Sequence, residues 1–135
     1  MIYLLDTNVC IHLLNEKHPV ILQHFRQHKP ADIVLCNVVK AELLSGARRS
    51  QRPEANLQRL KSFFDPLQSL PFNDDCAEHY GQIHASLLTQ GNPIGPNDTL
   101  IASVARSHDV ILVTHNTGEF SRVDGLRLED WEIAR

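Results

Sequence analysis

The sequence predicts an α/β fold, an open doubly wound parallel sheet of about four to five strands with helices on both faces. Three observations carry this. Short apolar runs alternate along the chain with longer stretches of helical period. The clearest run, residues 110–113, is β-branched and bounded by polar residues, and Ile33–Cys36 reads as a second buried strand. Strand followed by helix, repeatedly, implies parallel pairing through helical crossovers.

Residues 2–5 form a short apolar run that ends in Asp6. Val9, Ile11, Leu13 and Leu14 then predict a short helix stopping near Asn15. Pro19 suits the first turn of a second helix reaching about His28. Lys29-Pro30 breaks the pattern before the strand Ile33–Cys36. Asn37 is the expected cap of a third helix, from Val38 to about Ala47, with Val39, Leu43 and Ala47 on one stripe. A fourth helix, Pro53–Phe64, is closed by Asp65-Pro66, and residues 67–70 read as a weaker strand. Asn73 is expected to cap a long helix whose apolar positions Cys76, Tyr80, Ile83 and Leu87 keep the 3.6 period, with Gly91 as its stop. Gly95-Pro96-Asn97-Asp98 starts a sixth helix through about Ser107. Residues 110–113 give the next strand and residues 126–128 a last short one, which Trp131 is placed to pin.

With 135 residues and no repeat or Gly/Ser linker, the chain reads as one domain, 1–135. No apolar run approaches the roughly 18–20 residues that span a bilayer, so no membrane role is expected. Met1-Ile2-Tyr3-Leu4-Leu5-Asp6 lacks the basic start of a secretory signal. Cys10, Cys36 and Cys76 form no CxxC and lie among aliphatic residues, which predicts reduced core thiols in a cytoplasmic protein. A net charge of −3 excludes binding of polyanions by bulk charge, so any nucleic-acid contact needs a local basic patch or metal ions.

In open α/β sheets, ligands bind beyond the carboxyl ends of the strands. Asp6 closes the first strand, and Glu42 lies in the first turns of the helix after the second. Asp98 lies in the first turn of the helix beginning at Pro96, and Asn116 follows the strand that ends at Val113-Thr114. Three acids and an amide from distant positions are thereby expected at one end of the sheet. Two carboxylates about 5 Å apart repel by roughly 3 kcal/mol at an effective dielectric near 20, so such a cluster takes up protons or binds a cation. Oxygen ligands without His or Cys favour Mg²⁺ or Mn²⁺ over Zn²⁺. A cation so held lowers the pKa of an attacking water and neutralises charge in phosphodiester hydrolysis. The same acids at helix starts also suit helix capping and dipole pairing.

At these residues the sequence resembles the PIN-domain ribonucleases, and specifically the VapC-type toxins of bacterial toxin–antitoxin pairs. The matching pieces are Tyr3-Leu4-Leu5-Asp6-Thr7-Asn8, Ala41-Glu42-Leu43 and Pro93-Ile94-Gly95-Pro96-Asn97-Asp98-Thr99-Leu100-Ile101-Ala102. They continue with Leu112-Val113-Thr114-His115-Asn116-Thr117-Gly118-Glu119-Phe120 and Gly125-Leu126-Arg127-Leu128-Glu129-Asp130-Trp131. The resemblance spans nearly the whole chain. It implies a PIN-like fold and a Mg²⁺-dependent endoribonuclease, with Mn²⁺ as a substitute, that cuts structured RNA, tRNA above all, to stop translation. It also implies a homodimer, a cognate VapB-type antitoxin covering the acidic pocket, and a higher-order toxin–antitoxin complex. Carried over by position, Asp6 and Asp98 become the principal metal ligands and Glu42 the third acid. Thr7, Asn8 and Thr114 would orient these carboxylates.

One departure concerns Asn116, where many PIN domains carry a fourth acid. The nearest acid, Glu119, lies a turn away, and either supplies the missing charge or caps the turn before Phe120. One firm metal site is therefore expected, with a second filled only alongside substrate. Arg48, Arg49 and Arg52, with Arg59 and Lys61 beyond, form the densest basic stretch, suited to RNA phosphates or to a solvated helix face. His115 adjoins the proposed site and is a candidate RNA contact, whereas His12, His18 and His108 look isolated and no HExxH supports zinc. Part of the Tyr80, Ile83, Leu87 stripe is a candidate dimer surface. The alternative function is a PIN-fold RNA- or protein-binding module without turnover. A receiver-like phosphoacceptor reading lacks its paired acids and late lysine, and no Walker A, GxGxxG or GxSxG motif is present.

Overall fold

The computed structural model describes residues 1–134. β1 (Tyr3–Leu5) leads into α1 (Thr7–Asn15) and α2 (Pro19–Arg26). A one-turn 3-10 helix (Pro30–Asp32) precedes β2 (Ile33–Cys36), α3 (Asn37–Arg48) and α4 (Pro53–Phe64). β3 (Gln68–Leu70), α5 (Asp74–Thr89), α6 (Pro96–Ser107), β4 (Ile111–Val113), the four-residue α7 (Thr117–Phe120) and β5 (Leu128–Glu129) follow. The five strands form one sheet in the order β3-β2-β1-β4-β5, with every neighbouring pair parallel, as the aliphatic runs predict.

The strand order fixes where a ligand site can lie. From β1 the chain steps one way to β2 and β3, then returns across the sheet to β4 and β5. The switch point falls between β1 and β4, and the crevice outside their carboxyl ends is the ligand position of this architecture. Right-handed crossovers put α1 to α4 on one face and α5 to α7 on the other. The packing groups the same way: α3 lies on α4 and α1, and α5 lies along α6. Leu4, Leu5, Ile33, Leu35, Leu112 and Val113 are fully buried between these layers. Burying each is worth about 1.5–3 kcal/mol relative to exposure. No helix among the described residues is long and apolar enough to cross a membrane.

Local details correct several expectations. Asn37 does not cap α3; it is the first helical residue, and its Oδ1 instead accepts from Ser69 Oγ at 3.0 Å, tying α3 to β3. The last strand lies two residues later than the apolar run suggests, because Leu128 and Glu129 pair with Leu112 and Val113. The second helix ends at Arg26, short of His28. Asn73 does cap the long helix, accepting from the Cys76 amide at 3.0 Å. Gly91 ends that helix at φ +66°, with Asn92 N–H on Leu87 O and Gly91 N–H on Leu88 O, the paired bonds of a Schellman turn. Along it Ile83 and Leu87 are buried, while Tyr80 is half-buried and stacks on His84.

The three cysteines are buried and unpaired with one another. Trp131 is buried and lies parallel to the rings of His24 and His28, interplanar angles 6° and 7°, and its Nε1 donates to Glu129 Oε1 at 2.9 Å. His24 Nε2 lies 2.8 Å from the Ile133 carbonyl, so this aromatic stack fastens the segment after β5 to α2.

Candidate active site

Asp6 follows the last residue of β1 and precedes the first of α1, so strand and helix fix its backbone. Its N–H donates to Val113 O of β4 at 3.0 Å, and its own carbonyl accepts from Cys10 N–H in α1. The side chain is buried and doubly held. Oδ1 accepts from the Thr7 amide at 2.7 Å, and Oδ2 accepts from Thr114 Oγ1 at 2.8 Å. Thr114, fully buried just past β4, also accepts the Asn116 amide on the same hydroxyl at 3.0 Å. Thr7 Oγ1 donates to Glu42 Oε1 at 2.7 Å, so one threonine links two of the expected acids.

Asp98 enters from the other face, in the first turn of α6. Its pKa is pushed up to about 6, first by burial and then by the negative charges of Asp6, Glu119 and Glu42. Asp6 is raised as well, by burial above all; the Thr114 and Thr7 bonds oppose this and Glu42 adds to it. The charges of Asp6, Glu42 and Glu119 therefore converge on Asp98 across the switch point. Glu119 belongs to this group through its charge, and its Oε2 also accepts from Asn116 Nδ2 at 2.9 Å. Both sit on or beside α7, a helix too short for periodicity to reveal.

The remaining candidates separate. Asn8 is exposed beside Asp6 in a depression of about 450 Å³ and makes no hydrogen bond to a carboxylate among the described residues. Arg49 lines a second depression, about 500 Å³, with Thr7, Glu42, Ser45 and Asn97, whereas Arg48 and Arg52 are exposed near the end of α3. His115 lies in the first depression, its Nδ1 3.0 Å from Asp130 Oδ2. Two residues there escaped the sequence reading. His12 is not isolated; its ring meets that of His18 edge-on at 5.0 Å, and Glu132 stands between His18 and His115 at 3.4 and 3.7 Å. Only chain folding unites positions 12, 18, 115 and 132, so no local motif announces them.

The donor set suits a hard divalent cation. Asp6, Glu42, Asp98 and Glu119 offer oxygen only, and among the described residues no Lys, Arg or His forms an ion pair with any of them. Each oxygen of Asp6 accepts one hydrogen bond, which leaves a lone pair for a further partner. No three His, Cys, Asp or Glu side chains among the described residues close on a point as a finished cage.

A PIN domain family model matches residues 3–126. The chain is 42% identical over 129 residues to the tRNA(fMet)-specific endonuclease VapC of Shigella flexneri, covering 96% of this chain and 97% of that one. The crystal structure of DNA-bound VapBC from Salmonella typhimurium superposes with a TM-score of 0.91 at 37% identity, over 97% of this chain and 98% of that chain. VapBC2 from Rickettsia felis, bound to a DNA fragment from its promoter, gives a TM-score of 0.90 at 35% identity, over 97% and 99%.

Proposed function

The chain belongs to the PIN-domain family, among the VapC ribonucleases, and from that membership together with the acid cluster we propose a divalent-metal-dependent endoribonuclease. It hydrolyses phosphodiester bonds in structured RNA, tRNA foremost, as the toxin of a toxin–antitoxin pair. The observation that carries this reading is the gathering of Asp98 with three further carboxylates that form no ion pair among the described residues, with Asp98 raised by burial and by their charges.

Asp6 and Asp98, with Glu42, would hold the Mg²⁺, and Mn²⁺ would substitute. When bound, the cation supplies a Lewis acid that lowers the pKa of a water and neutralises charge on the phosphoryl oxygens. The chain's own residues do the rest. Thr114 and Thr7 fix both oxygens of Asp6, and Thr7 fixes Glu42, so the carboxylates are oriented before any ligand arrives. The Asn116 amide, aimed by Glu119, orients a water or phosphoryl oxygen where other family members place an acid. Arg49 is the cation suited to hold a neighbouring phosphate, with Arg48, Arg52 and His115 as outer RNA contacts.

An apolar groove of about 260 Å³ runs between α1, α3 and α4, lined by Ile11, Leu14, Leu43 and Leu60, and reaches Glu42. It supports a VapB-type antitoxin tail laid toward the acids, in a complex built on a toxin homodimer. The proposed place of action is the cytoplasm, where tRNA is.

The test is cleavage of total bacterial tRNA by antitoxin-free protein, wild type beside Asp98→Asn, with Mg²⁺, Mn²⁺ or EDTA. A discrete fragment that disappears with EDTA and with the substitution is expected. Equal cleavage by the variant would overturn the assignment. A folded, metal-binding wild type that cuts nothing would move the reading to a binding module without turnover.

A further inference from the structure

The two depressions that meet at the acids differ chemically. The one along α3 holds a guanidinium, Arg49, with Ser45, Asn97 and the carboxylate of Glu42 and no aromatic ring, and its cation suits the sugar–phosphate backbone. The other, about 450 Å³, opens beside Asp6 and holds the rings of His12 and His115, the amides of Asn8 and Asn116, and the carboxylate of Glu132. Away from Asp6 its charge opposes a phosphate, with Glu132 in the wall and Asp130 behind His115. Flat rings beside hydrogen-bonding edges suit a planar heterocycle instead. We infer that this depression is a nucleobase subsite, which takes the base of the nucleotide next to the cleaved bond and selects bases that carry an exocyclic amino group. The inference rests on the nuclease reading.

Each wall has a part. His115 is fixed by its Nδ1 contact to Asp130, whose other oxygen accepts the Glu132 amide at 2.9 Å, so ring and carboxylate are set in one unit. The His12 ring, edge-on to His18, offers a stacking face. Glu132 lies 3.4 Å from His18 and 3.7 Å from His115, both long for hydrogen bonds, so its oxygens keep acceptor capacity. A carboxylate acceptor favours the amino groups of cytosine, adenine or guanine, and uracil has a carbonyl oxygen in their place.

The experiment uses short RNA stem-loops that differ only at the nucleotide 5′ or 3′ of the cut, read as relative kcat/KM. Wild type is expected to prefer an amino base over uridine by about tenfold on one side of the bond. Glu132→Gln, which can both donate and accept, should flatten that preference. His12→Ala should slow all four RNAs by about tenfold, and His12→Phe should restore them by replacing the stacking face. Base-independent cleavage by wild type, or a Glu132→Gln variant that keeps the preference, would overturn the subsite. A His12→Phe variant as slow as His12→Ala would overturn the stacking role. The same preference is read as Kd by fluorescence anisotropy on Asp98→Asn, which keeps the depression intact. Discrimination in binding without cleavage by wild type would leave the subsite standing and remove the nuclease reading.

Discussion

On the α5–α6 side of the molecule, Arg106 is matched on every side: Nε donates to His79 Nδ1, Nη1 to the Asp124 carbonyl and Nη2 to Gln82 Oε1, at 2.8–3.0 Å. At the carboxyl end of the sheet the reverse holds. Asp6, Glu42, Asp98 and Glu119 form no ion pair among the described residues, and Asp98 is pushed up to about 6, by burial first and then by the charges of the other three. A matched network stabilises the fold; a collection of like charges costs stability, and holds up only because strands and helices place its members independently. The second arrangement is the one a bound cation would relieve.

Substitution at the acids should show the largest effect. Asp6→Asn and Asp98→Asn should abolish metal-dependent RNA cleavage while leaving the circular dichroism spectrum unchanged; either variant cutting at the wild-type rate would remove the contrast. Next in size is Thr114→Val, which deletes the bond to Asp6 Oδ2. About 10–100-fold is the expected loss in cleavage or Mn²⁺ affinity, typical of a group that orients a ligand, and an unchanged titration would contradict it. Arg106→Ala should act on stability alone, lowering it by about 1–2 kcal/mol in urea unfolding for its lost hydrogen bonds. Weakened Mn²⁺ binding in that variant would mean that the two regions are not independent.

Between about pH 4 and 6 the folded protein holds a proton on Asp98 that the unfolded chain has released. The stability this group contributes is therefore fully present below about pH 4 and lost as pH rises through about 6. Metal binding needs the ionised form, so cleavage should rise over the window in which this contribution falls. Parallel rather than opposed pH profiles, for cleavage and for the difference in stability between wild type and Asp98→Asn, would refute the linkage. The smallest effect is expected from Glu119→Gln. With one negative charge gone, Asp98 ionises more readily, so the pH midpoint of cleavage should move down by a fraction of a unit. An immobile midpoint would mark Glu119 as a partner of Asn116 only.

The matched and unmatched regions were not equally legible in the sequence. Asp6, Glu42 and Asp98 could be placed together because Asp6 follows a strand, Asp98 opens a helix and Glu42 lies in the first turns of another, and because strand–helix alternation already decides which end of the sheet they share. Glu119 stayed ambiguous because a four-residue helix leaves no periodic trace, and its coupling to Asp98 crosses between separate elements. Asn37 was misread as a cap because Ser69, its partner, comes from β3. The histidines show the same limit. His18 and His115 meet at Glu132, and His12 joins through His18, by the folding of α1, the α1–α2 turn, the loop after β4 and the segment beyond β5. Local pattern reports what a residue does to its own element, and contacts across elements appear only with the fold.

The most direct test of the unmatched acid cluster is thermal unfolding of wild type and Asp98→Asn at pH 7, each with and without Mn²⁺. Wild type should start at the lower Tm, because it carries an extra half-buried charge beside other acids, and should gain about 1.4 kcal/mol at ten times the Kd of the ion. Asp98→Asn should start higher and respond little. Equal stabilisation of both proteins by Mn²⁺, or a variant that starts below wild type, would contradict the account.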